Sequence, residues 1–338
     1  MSYLQAIVIG AIQGIGELFP ISSLGHTVLV PSWFGGSWAR LVSQESMPES
    51  PYLAFVVGLH LATAAVLVGF YIREWARLAS AFARTIIRRR ITTDAERLVF
   101  LIVIATIPVG ILGLVFEHQF RVLFAKPLAA ALFLMANGVI LLAGEMFRRR
   151  NSRRAAGMAV PDAGRQSAAL PSGAPVPAQT PPATAQTPGA PVRRRVRDQA
   201  IVPMDSAAEH ELARIGVGSA ALIGAAQALA LLAGVSREGV AMVGGLFRGL
   251  NNENALRFSF LLSTPVIFAA GILKVPDLTG PLGAGIRGPV LAGALAAAAS
   301  SLFAVVFLSR YFKTRTPLPF AGYSLVFGLA SAIRLGLF

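Results

Sequence analysis

Six stretches of this chain run for about 20 residues with little polar interruption: 53–72, 98–117, 128–147, 255–274, 287–309 and 318–338. At 1.5 Å of rise per residue, a helix of that length covers the roughly 30 Å of bilayer hydrocarbon, so each predicts a transmembrane helix. Two further apolar segments, 3–32 and 216–249, are broken at their centres by GELFPISSLGH and LAGVSREG. The halves they leave are too short to cross alone. They predict re-entrant hairpins, whose irregular backbone must be buried in protein or line a wet cavity.

Arginine orients these elements. The connection 73–97 carries seven arginines against three acids, and 148–214 is Arg-rich as well; by the positive-inside rule both are cytoplasmic. Residues 33–52 then lie outside. Between 155 and 200 the sequence turns to Pro, Ala, Gln and Arg, with eight prolines from 161 to 191 and no apolar period, which predicts a disordered tether. The chain therefore divides into a first half at 1–150, a basic cytoplasmic linker at 151–213 and a second half at 214–338. A shift of 214 residues lays Ile9-Gly10-Ala11-Ile12-Gln13 on Ile223-Gly224-Ala225-Ala226-Gln227, Ser22 on Ser236 and Gly25 on Gly239. Each half is a hairpin followed by three crossings, an odd number, so the halves are expected to be inverted in the membrane. The fold class is all-α and polytopic, six transmembrane helices plus two re-entrant hairpins in an inverted-topology repeat. Such repeats place their site near the midplane, where broken helices meet.

Composition agrees: 55% of residues are hydrophobic, 14% are charged, and the mean hydropathy is +0.65. The formal charge of +14 does not argue for nucleic acid, because arginines such as Arg88–Arg90 and Arg148–Arg150 flank apolar runs, where they meet anionic lipid headgroups. The absence of cysteine excludes disulfides and thiolate metal sites. The first dozen residues have no basic n-region and are interrupted by Gln13, Glu17 and Pro20, which argues against a cleaved signal peptide.

The chemistry falls in the two breaks. Gln13 and Glu17 are four apart and share a helix face; Ser22, Ser23 and His26 open the helix after Pro20. A carboxylate in hydrocarbon costs about 2.5–3.5 kcal/mol, so Glu17 needs a partner, a cavity or a cation. Ser22 or Ser23 can cap the second helix, and His26, three or four residues on, is placed to act as base to a serine hydroxyl. In the second break Gly234, Ser236 and Arg237 precede a short apolar helix, so loop amides and a guanidinium predict an anion site. Glu238 at the first helical turn suits the helix dipole. A nucleophile, a base, a carboxylate and an arginine suit phosphoryl transfer to water, and at membrane depth the phosphate is expected on a lipid.

The run Gln13 to His26, QGIGELFPISSLGH, resembles the first signature of the bacterial undecaprenyl-diphosphate phosphatases of the bacitracin-resistance type. Gly234-Val235-Ser236-Arg237 is similar to their second signature, and Phe258 to Leu262 followed by Pro265 to another of their runs. The likeness covers the chain outside 155–200. It implies hydrolysis of undecaprenyl diphosphate to undecaprenyl phosphate and inorganic phosphate, recycling the carrier of cell-wall precursors, in the bacterial plasma membrane with the site facing outward. It implies a divalent cation, Mg²⁺ or Ca²⁺, held by Glu17 and Gln13. Ser22 or Ser23 would attack or position, His26 would be the base, and Arg237, with Ser236 and Gly234, would bind the diphosphate. The partners expected are a polyprenyl diphosphate and membrane lipid, with oligomeric state left open. Ala233, Glu238 and Ala241 stand where that family usually has Pro, Ser and Thr. Two rivals are a lipid-phosphate transporter or flippase, which shares the inverted-repeat architecture, and a paralogue that binds polyprenyl diphosphate without cleaving it.

Overall fold

The computed structural model describes residues 1–45, 51–124, 126–158, 204–280 and 285–337, and all regular structure among them is helical. The first half comprises α1 (Tyr3–Leu18), α2 (Ser23–Phe34), α3 (Gly36–Glu45), α4 (Pro51–Phe70), α5 (Ile72–Arg88), α6 (Asp94–Phe124) and α7 (Pro127–Met158). The second comprises α8 (Ser206–Ala213), α9 (Val217–Ala226), continued by a 3₁₀ segment at Gln227–Leu231, then α10 (Arg237–Phe247), α11 (Asn252–Thr279), α12 (Arg287–Tyr311) and α13 (Leu318–Leu337). Five of these, α6, α7, α11, α12 and α13, are long and apolar enough to cross a membrane. Two bent pairs, α4 with α5 and α8 with α9, pass the same test when each is taken together; both bend by 84°.

The helices sort their residues in the sense opposite to that of a soluble protein. Ile107, Ile111 and Leu114 on α6, Leu291, Leu295 and Leu302 on α12, and Val326, Leu329 and Ile333 on α13 form exposed apolar stripes at helical spacing. Gln13, Glu17, Asn137, Ser301 and Ser331 are buried instead. Lipid is the solvent that makes this arrangement favourable, because outward apolar groups cost nothing there and polar groups must find partners inside.

Helix α1 lies against α12, and α9 lies against α6. Both contacts depend on glycine. A Cβ on Gly10 would stand 2.2 Å from the carbonyl oxygen of Gly293, and one on Gly224 would stand 2.0 Å from that of Ala105. The positions that the 214-residue shift equates thus make equivalent backbone-to-backbone approaches in the two halves. Helices α7 and α13 pair along their length, as do α4 and α11.

Two expectations need correction. The segment 73–97 is not a simple connection: most of it is α5, which buries Glu74, Leu78 and Ala81 on one face and leaves its arginines exposed or half-buried beside it. The linker at 151–213 is helical at both ends, since α7 runs to Met158 and α8 covers Ser206–Ala213; its part between 159 and 203 lies outside the described residues. Helix α8 is held by polar contacts to the first half. The Met204 amide donates to Glu74 at 3.1 Å, Arg77 pairs with Glu209, and His210 meets Asp94 at 2.9 Å.

Candidate active site

The two breaks meet. Between α1 and α2 the chain turns through Phe19–Ser22, and Ser22 itself takes the positive φ of 68°. That conformation turns its hydroxyl toward two backbone amides, accepting from Gly25 at 3.2 Å and from Gly234 of the other break at 3.1 Å. Between the 3₁₀ segment and α10, Gly234 adopts φ 116°, a region open to glycine, and Ser236 caps α10 by accepting from the Gly239 amide at 3.1 Å. Asn137, about a third of the way along α7, accepts from the Ser236 amide at 3.0 Å and donates to the Pro20 carbonyl at 2.8 Å. One amide side chain thus satisfies backbone groups in both breaks that hydrocarbon could not.

Around this joint lies a small cavity lined by Glu17, Ser22, Ser23, His60, Ser236 and Arg237 among others, with about 20 Å³ of room for a water-sized group. Glu17 is its hub. Arg237 Nη1 lies 3.3 Å from Glu17 Oε1. On Oε2, the Ser23 hydroxyl donates, Gln13 Nε2 donates at 3.2 Å, and His60 Nε2 lies 3.4 Å away. The carboxylate therefore has the partners that burial at 7% exposure demands. Gln13 Oε1 is buried with no hydrogen-bond partner among the described residues.

Most of the residues singled out in the sequence are together here, but two of the expected pairings differ. His26 does not reach a serine hydroxyl. Its Nδ1 lies 2.7 Å from the Ser22 carbonyl, its Nε2 lies 2.8 Å from the Tyr323 hydroxyl, and its ring stacks on Tyr323 and Phe327. The i, i+4 spacing does bring His26 back to Ser22, but to the carbonyl that a helix N-cap presents to its first turn rather than to the side chain. The loop amides of Gly234 and Ser236 are not free for an anion either; Ser22 and Asn137 occupy them. Glu238 is buried in the first turn of α10 and does not line the cavity.

His60 and Asn137 are the residues that sequence reasoning missed. Each is a polar side chain inside an otherwise apolar span of α4 or α7, the signal that marks intramembrane function.

A helical, multi-pass membrane protein whose two broken helices enclose an acid, a hydroxyl and a guanidinium belongs to the class that handles anionic groups within the bilayer. The comparisons narrow this. The family described as Bacitracin resistance protein BacA matches residues 6–166 and 194–330, and the chain belongs to that family. It is 52% identical to Undecaprenyl-diphosphatase 2 of Frankia alni, over 100% of this chain and 99% of that protein. It is 48% identical to Undecaprenyl-diphosphatase of Mycolicibacterium paratuberculosis, over 100% and 98%. With Undecaprenyl-diphosphatase 2 of Chromobacterium violaceum the identity is 33%, over 98% and 99%.

Proposed function

We propose that this protein hydrolyses undecaprenyl diphosphate to undecaprenyl phosphate and inorganic phosphate. The observation that carries the chemistry is the Ser23 hydroxyl donating to a Glu17 carboxylate that also faces Arg237. In the resting site Arg237 pairs with Glu17; an incoming diphosphate takes the guanidinium for itself, and Oε1 is released. Glu17 accepts the Ser23 proton as Oγ bonds to the terminal phosphorus, and the bond from that phosphorus to the bridging oxygen breaks. The same carboxyl returns the proton to the departing undecaprenyl phosphate. A water then attacks the phosphoserine, losing its proton to Glu17; Ser23 recovers it as inorganic phosphate leaves.

The divalent cation that the family implies fits this donor set, because Gln13 offers a buried oxygen with no other partner beside the Glu17 carboxylate. Gln13 and Glu17 would hold it, with phosphate oxygens completing its shell, as Mg²⁺ sites commonly do. When bound it would offset the negative charge of the diphosphate. Ser22 serves as a structural acceptor between the breaks. His26 positions α2 against α13 through Tyr323.

The architecture we assign is six crossings and two re-entrant hairpins, as two inverted halves, with the cavity open to the outer face. Equivalent approaches of α1 on α12 and α9 on α6 support the repeat, and the arginines of α5 and of the end of α7 support the cytoplasmic side. The chain has no cysteine, so single replacements report sidedness. In intact cells an impermeant maleimide is expected to label Ser37→Cys in α3 and to reach Ser80→Cys in α5 only after lysis. The reverse pattern would invert the assignment.

The function is tested by phosphate release from undecaprenyl diphosphate, using protein purified in detergent with Mg²⁺ or Ca²⁺ and again with chelator. Metal-dependent release is the expected result. Tight binding of the lipid without release would instead favour a carrier or a non-hydrolysing paralogue.

A further inference from the structure

The reaction above gives His60 no task, although His60 lines the same cavity. Its Nδ1 is 2.9 Å from the Val56 carbonyl oxygen one turn earlier in α4. A carbonyl only accepts, so Nδ1 carries the proton, and in the neutral ring Nε2 holds a lone pair. That lone pair faces Glu17 Oε2 at 3.4 Å. Two acceptors held this way repel unless a cation stands between them, either a second ring proton or a metal ion.

Three features favour the metal. Donor atoms about 2.1 Å from one ion stand about 3.4 Å apart at a tetrahedral angle, the spacing of this pair. The hydrogen bond from Nδ1 to a backbone carbonyl is the support that metal-bound histidines characteristically have, fixing the tautomer and the ring direction. Gln13 Oε1, buried and unpartnered, lies on the residue that donates to the same carboxylate oxygen. Among the described residues no three His, Asp or Glu side chains come together, so an amide oxygen and phosphate oxygens would have to complete the shell.

We propose that His60 Nε2 is a ligand of the divalent cation, together with Glu17 and Gln13, making the site a mixed nitrogen and oxygen one. This rests on the phosphatase reading for its cation. An imidazole donor shifts preference from Ca²⁺ toward ions such as Mn²⁺, Co²⁺ and Zn²⁺.

The test uses tag-free full-length protein loaded with Mn²⁺ and measured by electron spin-echo envelope modulation, with Mn²⁺ affinity titrated by EPR. Wild type is expected to show coupling to a directly bound imidazole nitrogen. His60→Gln is expected to lose that coupling and to bind Mn²⁺ at least about tenfold more weakly. Bound Mn²⁺ without nitrogen coupling in wild type, coupling that persists in His60→Gln, or no Mn²⁺ binding at all would overturn the assignment. If His60→Gln fails to fold, His60→Asn supplies the comparison. Phosphate release from the same samples keeps the two readings apart. Turnover without nitrogen coupling sinks the ligand and spares the phosphatase; coupling without turnover does the reverse.

Discussion

Glu17→Gln and Ser23→Ala are each expected to lower phosphate release by about 10²- to 10⁴-fold, the range typical of losing a positioned acid–base group or the nucleophile it serves. The two variants fail for different reasons. Gln at position 17 keeps the shape but cannot take a proton, and it leaves the Arg237 guanidinium facing a neutral amide where a carboxylate had paired it. Breaking a buried pair this way costs about 3–5 kcal/mol of stability, so a folding check by gel filtration must accompany the rate. Ser23→Ala removes a single oxygen and leaves the Arg237–Glu17 contact in place, which makes it the cleaner probe. If Ser23→Ala keeps more than about a tenth of the activity while Glu17→Gln is dead, water rather than serine is the nucleophile. A protein trapped before the second step would also carry phosphate on Ser23, which mass spectrometry of acid-quenched enzyme reads directly.

The second large effect concerns assembly. Gly224→Ala and Gly10→Ala are expected to yield protein that aggregates or melts well below wild type in a thermal size-exclusion assay. Each would drive a methyl group into a backbone carbonyl, at 2.0 Å from Ala105 and 2.2 Å from Gly293 respectively. Neither obstacle is a side chain that could rotate away, so whole helices must separate. Overpacking of this kind typically costs about 1–3 kcal/mol and can cost more, and here it also moves α1 or α9, which carry or precede the breaks. Gly110→Ala is the control on α6: open space surrounds its Cβ position, and alanine is the better helix former by about 1 kcal/mol. An unchanged or higher melting temperature for that variant beside normal behaviour of Gly224→Ala would show that the close approach does not hold the halves together.

The apolar runs made the spans legible because length and hydrophobicity alone decide whether a helix can cross lipid. The breaks were equally visible, since Glu17, Pro20, Ser22 and Arg237 interrupt runs that otherwise tolerate no charge. Pairings across the chain were not. The contact of Arg237 with Glu17 joins the two breaks across the chain, and His60, whose polar neighbour in α4 is Thr63, is given no partner by the sequence around it. His26 misleads through its spacing. Four residues from Ser22 is the right distance for contact, yet the positive φ of Ser22 turns the hydroxyl toward two amides and leaves the carbonyl for the ring. Helix α5 lies in what the sequence presents as an arginine-rich connection, although Glu74, Leu78 and Ala81 repeat at helical spacing on its buried side.

Glu17 and Arg237 are 220 positions apart in the chain. At about 5–20 residues per second of synthesis, a nascent copy waits roughly 10–40 s after making its acid before the guanidinium exists. For nearly all of that interval the Gly234 and Ser236 amides, which Ser22 and Asn137 will accept from, have not been made either. The ribosome therefore controls when this centre first exists, and a prematurely terminated product is catalytically silent rather than half as active.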